Sequence, residues 1–191
     1  NERAGTRGVV WEKMYPNGTW DVATTDAFGQ RDYFQTSVDG LLAEFAKLRY
    51  AVIPETVRSD YGKTLLFLSH DLAAEFTAVA GYDAANKAAQ FSSSPSTPRV
   101  SIKVGVINHY DRITGKLRSG STTPVYRTNI YIKRTTKSAE GVPRGEPENL
   151  TLSLRWTVLS EEEIEKKDEQ FLRANPIGLT ILEYDIFEEI K

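Results

Sequence analysis

The stretch LTLSLRWTVLS, residues 150–160, alternates apolar and polar side chains without a break from Leu150 to Val158. Leu150, Leu152, Leu154, Trp156 and Val158 share one parity, and Thr151, Ser153, Arg155 and Thr157 the other. A period of two over nine residues describes a β-strand with one dry face and one wet face. Such a strand belongs to an antiparallel sheet covered on one side only, because parallel sheets are buried on both faces and read as continuous apolar runs.

Upstream, the same period recurs twice. Val100, Ile102, Val104 and Val106 alternate with Arg99, Ser101, Lys103 and Gly105, and Tyr126, Thr128, Ile130 and Ile132 with Arg127, Asn129, Tyr131 and Lys133. The connections RITGKLRSGSTTP and SAEGVPRGEPEN are rich in Gly, Pro and charge, as surface loops are, which makes residues 110–124 and 135–148 candidate contact surfaces. Residues 177–187 form the last strand. It is apolar on both parities in its first half, so it lies centrally or carries a bulge.

The first half of the chain has a different period. Phe34, Val38, Leu41, Phe45 and Leu48 recur at helical steps from Gln30 onward, and the helix stops before Pro54. A second stripe, Tyr61, Leu65, Leu68, Leu72, Phe76 and Val79, reads as one helix ending near Gly81, and YDAANKAAQF as a third, shorter one. SSSPSTP, residues 92–98, is a break. Before all of these, GVVWEKMYPNGTWDVATTD gives two short extended runs around Pro16, Asn17 and Gly18, a β-arm. Helices followed by strands specify α+β: helices packed on a curved four-stranded antiparallel sheet with an N-terminal β-arm.

Between the third strand and the last lies SEEEIEKKDEQFLRAN. Ser160 and Glu163 have capping-box spacing, acidic residues fill the first turn, and Arg173 sits near the other end. The residue before Pro176 is pushed out of the α region, so Asn175 ends the helix by sterics. Gly178 then allows a turn or a close approach that a side chain would block. The NPIG tetrapeptide thus sets where helix becomes strand.

Composition bounds the chemistry. With 191 residues, 40% hydrophobic and 26% charged, the chain is long enough for one domain with an arm. A net charge of −2 provides no global positive field, so direct nucleic-acid binding is not expected. The absence of cysteine removes disulfides, thiolate metal sites and thiol nucleophiles. It does not fix a redox compartment. The first residues do not resemble a signal peptide, and no apolar run reaches the length of a membrane span. The start at Asn1 is read as that of a part excised from a longer protein.

No phosphate-binding, dinucleotide, zinc-protease or nucleophile-elbow motif is present in the sequence. His70 reads as a surface or packing residue on a helix, and His109 as a loop residue after a strand. The EEEIEKKDEQ run reads as a solvated helix face rather than a cation site. Lys133, Arg134 and Lys137 form a small anion patch or a plain strand end. Trp11 and Trp20 clamp the arm onto the domain or onto a partner. No cofactor and no metal are expected.

Particular residues also carry a resemblance. RWTVLS, followed after a polar insert by LRANPIGLTILEYDI, resembles the C-terminal signature of the TrbF/VirB-type inner-membrane assembly proteins of bacterial type IV secretion and conjugation systems. Trp156, Asn175, Pro176 and Gly178 match its tryptophan-bearing strand and Asn-Pro-x-Gly motif. In YAVIPETVRSDYGKTLLFLS, the Ile-Pro-x-x-Val-Arg run with Pro54 and Arg58 is similar to the TrbF branch, and GVVWEKMYPNGTWDV to the strand between membrane helix and folded domain. The matches span residues 9–188. The EEEIEKKDEQ insert replaces the proline-rich linker common in relatives, and the Arg-Glu-x-Tyr ending of the first helix in the VirB branch is absent.

The resemblance implies a nuclear-transport-factor-2-like cone and a non-enzymatic scaffold of a secretion or conjugative DNA-transfer channel. It implies residues 1–27 as an arm from a membrane helix preceding Asn1, and residues 28–191 as a single periplasmic domain of a single-pass inner-membrane protein. Implied partners are a second copy, as homodimer or larger homo-oligomer, and other inner-membrane and periplasmic channel components. Asn175, Pro176 and Gly178 carry over as a folding and self-association motif. The competing reading is a small-ligand binder or a lyase or isomerase of the same fold, which requires an acid or histidine on the dry side of the sheet with Tyr as proton partner.

Overall fold

The computed structural model describes residues 10–14, 20–24, 35–117 and 119–189; for the first two segments the description is of backbone pairing alone. By their contacts the residues group into two units, Asn1–Gly40 and Leu41–Lys191. The first holds a two-stranded antiparallel sheet, β1 (Val10–Met14) and β2 (Trp20–Thr24), in register from Val10↔Thr24 to Met14↔Trp20. This is the expected β-arm. Its Pro-Asn-Gly turn and the side chains of Trp11 and Trp20 lie outside the described residues.

Helix α1 (Gln35–Tyr50) begins in the first unit and ends in the second. Of the stripe read from sequence, Val38, Phe45 and Leu48 are buried and Leu41 half-buried, whereas Phe34 lies outside the described residues. The stripe expected to form one helix from Tyr61 to Val79 is divided into α2 (Val57–Thr64) and α3 (His70–Thr77). Pairing with the sheet causes the break: Ile181 donates to the carbonyl of Phe67 (2.7 Å) and Ser69 donates to that of Ile181 (2.9 Å), which takes this backbone out of any helical ladder. Ser69 then caps α3 by accepting from Leu72. Val79 falls beyond α3 and is 80% exposed. The third helix is α4 (Ala84–Ser93).

The second unit's sheet has the order β3 (Arg99–Lys116), β4 (Thr122–Lys137), β5 (Glu148–Val158), β6 (Leu179–Glu188), all antiparallel. β5 follows its sequence pattern as far as Trp156: Leu150, Leu152, Leu154 and Trp156 are buried, Leu150 and Leu152 opposite Ile132 and Ile130 of β4, but at its end Thr157 is buried and Val158 half-buried, the reverse of the expected parity. The helices lie on this face. Val52 pairs with Val100, and Phe45 of α1 meets Tyr184 of β6 edge-on, 5.5 Å between ring centroids.

β3 departs from its alternation. Register shifts between Val104 and Ile107 and between His109 and Asp111 each place two residues of β3 opposite one of β4. Val106 is therefore on the outer face, 68% exposed, and Ile107 takes the inner position opposite Ile130. The expected loop at residues 110–124 is mostly strand, because β3 and β4 continue as a two-stranded ribbon to Lys116↔Thr122. His109 is accordingly a mid-strand residue. The loop between β4 and β5 is a true loop, with positive φ at Gly141 and Gly145.

The last strand carries the expected bulge, beside Arg155 and Trp156, and lies at the sheet edge. Its apolar first half is explained by Phe67–Ser69, which pairs there from the far side. The single helix expected after Ser160 is two: α5 (Glu161–Glu165), with the capping box in place, and α6 (Glu169–Ala174). Asp168 divides them, since its side chain accepts from Phe171 N and starts a new helix.

Candidate functional site

The turn between α6 and β6 is built around a buried amide. Asn175 leaves the α region at φ −143, as the ring of Pro176 requires, and is completely buried. Its Oδ1 accepts from Leu179 N at 2.8 Å, and its Nδ2 donates to Leu179 O at 2.8 Å and to Leu66 O at 3.1 Å. One side chain thus ties the start of β6 to itself and to the α2–α3 connection. Gly178 N donates to Asn175 O, which closes a turn with Pro176 at its second position. Gly178 has φ +62, and a Cβ there would lie 2.7 Å from Leu159 Cβ.

Trp156 centres a second cluster. It is buried, stacks on Tyr126 at 4.5 Å, and donates from Nε1 to Thr128 Oγ1 at 2.9 Å. His109 Nδ1 shares the same hydroxyl at 2.8 Å, with its ring edge-on to the indole. The inner face therefore does present a histidine and a tyrosine. No carboxylate is buried among the described residues, and neither a cleft lined by Pro54 and Arg99 nor one lined by Arg127 and Arg155 borders His109.

Pro54 and Arg58 sit apart from both clusters. Arg58 donates to Ser92 Oγ at 2.9 Å, which joins α2 to the end of α4, while Pro54 lines a solvent-open cleft of about 300 Å³ with Glu55, Ser92, Thr97 and Arg99. Glu55 and Arg99 pair across it, and that hydrogen bond holds the Glu55 carboxyl below its ordinary range.

One cluster had no sequence signal beyond its aromatic content. Arg49, on α1, lies over the rings of Tyr82 (4.0 Å), Tyr50 (4.9 Å), Phe76 (5.1 Å) and Tyr184 (5.6 Å), and its Nε donates to the Tyr184 hydroxyl. Tyr61 joins through its hydroxyl to Tyr82, 2.9 Å. Burial drives the phenols of Tyr50 and Tyr61 well above their ordinary range. The residues come from four elements and the Tyr82 turn, so no local spacing reveals them.

Among the described residues of the second unit, no element packs on the outer face of the sheet. Arg127 and Arg155 are direct cross-strand partners there, flanked by Asp111 (3.1 Å) and Glu183 (3.2 Å). With Tyr110, Ser153 and Asp185 they line a cleft of about 230 Å³. The sequence's candidate anion patch is split by strand alternation. Lys133 points outward, whereas Arg134 pairs with Glu148 at 2.7 Å. His70, first in α3, is exposed as expected. Among the described residues no group of His, Asp and Glu has a metal-binding arrangement, and no helix is long and apolar enough to cross a membrane.

The model of the VirB8 protein family matches residues 17–189, nearly the whole chain. The chain belongs to the VirB8 family. It is a VirB8-like component of type IV secretion, and the four-stranded sheet with its helices is the nuclear-transport-factor-2-like fold that the resemblance implied. Solved structures agree on that fold. The soluble domain of TrwG from the type IV secretion machinery of Bartonella grahamii superposes with a TM-score of 0.61 at 16% identity, covering 84% of this chain and 98% of its own. VirB8 of Agrobacterium tumefaciens gives 0.58 at 15%, covering 85% and 99%, and the periplasmic domain of DotI gives 0.56 at 14%, covering 84% and 100%. No curated protein sequence matches the chain.

Proposed function

We propose that this VirB8-family chain is a non-enzymatic assembly component of a type IV secretion or conjugative DNA-transfer channel, working by self-association and by contacts with other channel proteins. The observation that carries this reading is the family match over residues 17–189. Residues 28–191 are the periplasmic domain in this reading, and residues 1–27 an arm from a membrane helix preceding Asn1.

Asn175, Pro176 and Gly178 have two roles in this reading. They set the α6–β6 turn, and they hold a surface used in self-association. Trp156 supports the sheet behind it, and Pro54 with Arg58 fixes the α2 corner. The geometry supports the first role directly, since Asn175 is buried and triply bonded while Pro176 is exposed at the same turn.

The test replaces Asn175 and Pro176 by Ala and measures folding and oligomer size separately, because added backbone freedom alone lowers stability. Loss of oligomer with the fold retained supports the double role. Unchanged oligomer and unchanged stability would remove the motif from the account.

A further inference from the structure

Charge is distributed unevenly along this chain. From Arg99 to Ala139, the β3–β4 hairpin and its flank, nine basic residues accompany a single carboxylate, Asp111. From Glu140 to the end, thirteen carboxylates accompany six basic residues. From Arg99 onward the chain is therefore the near-neutral sum of two opposed poles.

Each pole contains a local arrangement that costs stability. Lys103 and Lys133 are direct cross-strand partners on the outer face, both exposed, and neither has an ion-pair partner among the described residues. Like charges directly opposite one another in a sheet repel. Glu161 and Glu165 stand at i and i+4 on α5, both exposed and likewise without an ion-pair partner among the described residues. Like charges at that spacing on a helix also repel.

The two pairs match in span. Cβ atoms of facing sheet residues lie about 5 Å apart. Those of helix residues one turn apart lie about 5–6 Å apart. Two carboxylates at that separation fit two ammonium groups at the other, and each repulsion becomes an attraction.

Within one chain they cannot meet. Lys133 is level with Asn149 at one end of β5, and α5 follows Val158 at the other end, anchored by the Ser160–Glu163 capping box. Nine residues of strand separate the two levels, about 30 Å. Contact between them requires a second copy.

We propose that the Lys103–Lys133 pair on the outer sheet face receives Glu161 and Glu165 of a second copy, in a head-to-tail contact. This rests on the self-association reading above and gives it a surface and a polarity. The contact joins two different patches, so it repeats from copy to copy and closes into a ring or continues as a filament. Its ion pairs are exposed and salt weakens them, since the Debye length is about 10 Å at 0.1 M.

The test is sedimentation velocity of the 191-residue chain over a concentration series, at low and high salt. The wild-type chain is expected to associate at low salt and to dissociate at high salt. K103E/K133E alone and E161K/E165K alone should each weaken association by roughly a hundredfold. An equimolar mixture of the two should recover it, because each variant then supplies the pole the other lacks. K103Q/K133Q should lose association while keeping or raising its melting temperature, which separates docking from folding. A wild-type chain monomeric throughout, single variants that associate normally, or a mixture that stays dissociated would each overturn the contact. Crosslinks to other channel components in the cell would survive that failure, whereas failure of the wider reading would remove them too.

Discussion

The side-chain amide of Asn175 donates 3.1 Å to the carbonyl of Leu66, a hydrogen bond between residues 109 positions apart. Leu66 lies in the connection that divides α2 from α3, and the next residue, Phe67, bonds to Ile181 of β6. The point where the helical stripe breaks and the point where helix becomes strand are therefore one joint, held from one side by Asn175.

Replacing Asn175 by Ala removes three side-chain hydrogen bonds and leaves the buried N–H of Leu179 without its acceptor. A loss of about 3 kcal/mol is expected, most of it from groups left buried and unpaired. Urea unfolding of the variant measures it. A loss below about 1 kcal/mol would show that the joint holds without the amide.

Gly178→Ala faces two penalties, a left-handed backbone at φ +62 and a Cβ placed 2.7–2.9 Å from the Leu159 side chain. Together they should cost more than about 2 kcal/mol. Leu159→Gly, which removes the Cβ 2.7 Å away together with the rest of the side chain, relieves only the second, so the double variant should be more stable than the sum of the single losses implies. A double-mutant cycle reads this coupling; strict additivity would exclude the steric contact.

Trp156→Phe keeps a ring against Tyr126 and loses the indole N–H bond to Thr128. Thr128→Val removes the hydroxyl shared by Trp156 and His109. Each should lower stability by about 1–3 kcal/mol. The pair should fall short of additivity, because both delete the same bond. Thermal melts of the four proteins are sufficient.

The phenols of Tyr50 and Tyr61 are raised by burial, Tyr61 further by its hydrogen bond with Tyr82. The unfolded chain ionises them first. Their contribution is therefore fully present below the ordinary tyrosine range near pH 10 and is lost as pH rises from there toward the folded values. Alkaline unfolding should begin above that point, and Tyr50→Phe should move its midpoint upward. An unchanged midpoint would mean that Tyr50 ionises equally in both states.

Much of this architecture is readable from residue periods. β5 keeps period two from Leu150 to Trp156, and the Ser160–Glu163 box and the Asn-Pro-x-Gly turn are local chemistry that sequence states outright. What sequence misses is nonlocal. The break at Leu65–Ser69 depends on hydrogen bonds to Ile181, which no helical stripe reveals. The bulges of β3 put Val106 outside and His109 inside, because each added residue reverses the parity of everything after it. The ribbon at residues 111–116 and 122–127 carries Thr114, Gly115, Thr122, Thr123 and Pro124, which read as loop until pairing makes them strand. Arg49 among four rings belongs to no motif; four separate segments bring it together with its neighbours.

The central claim is that this chain works as an assembly component in contact with its channel. The most direct measurement places a photo-crosslinking amino acid at Tyr131, on the outer sheet face, in the full-length protein in its host, and identifies the adducts by mass spectrometry. The account predicts adducts with a second copy and with other envelope components of a type IV secretion machine. Recovery of the protein alone, at monomer mass and in the cytoplasm, would contradict it.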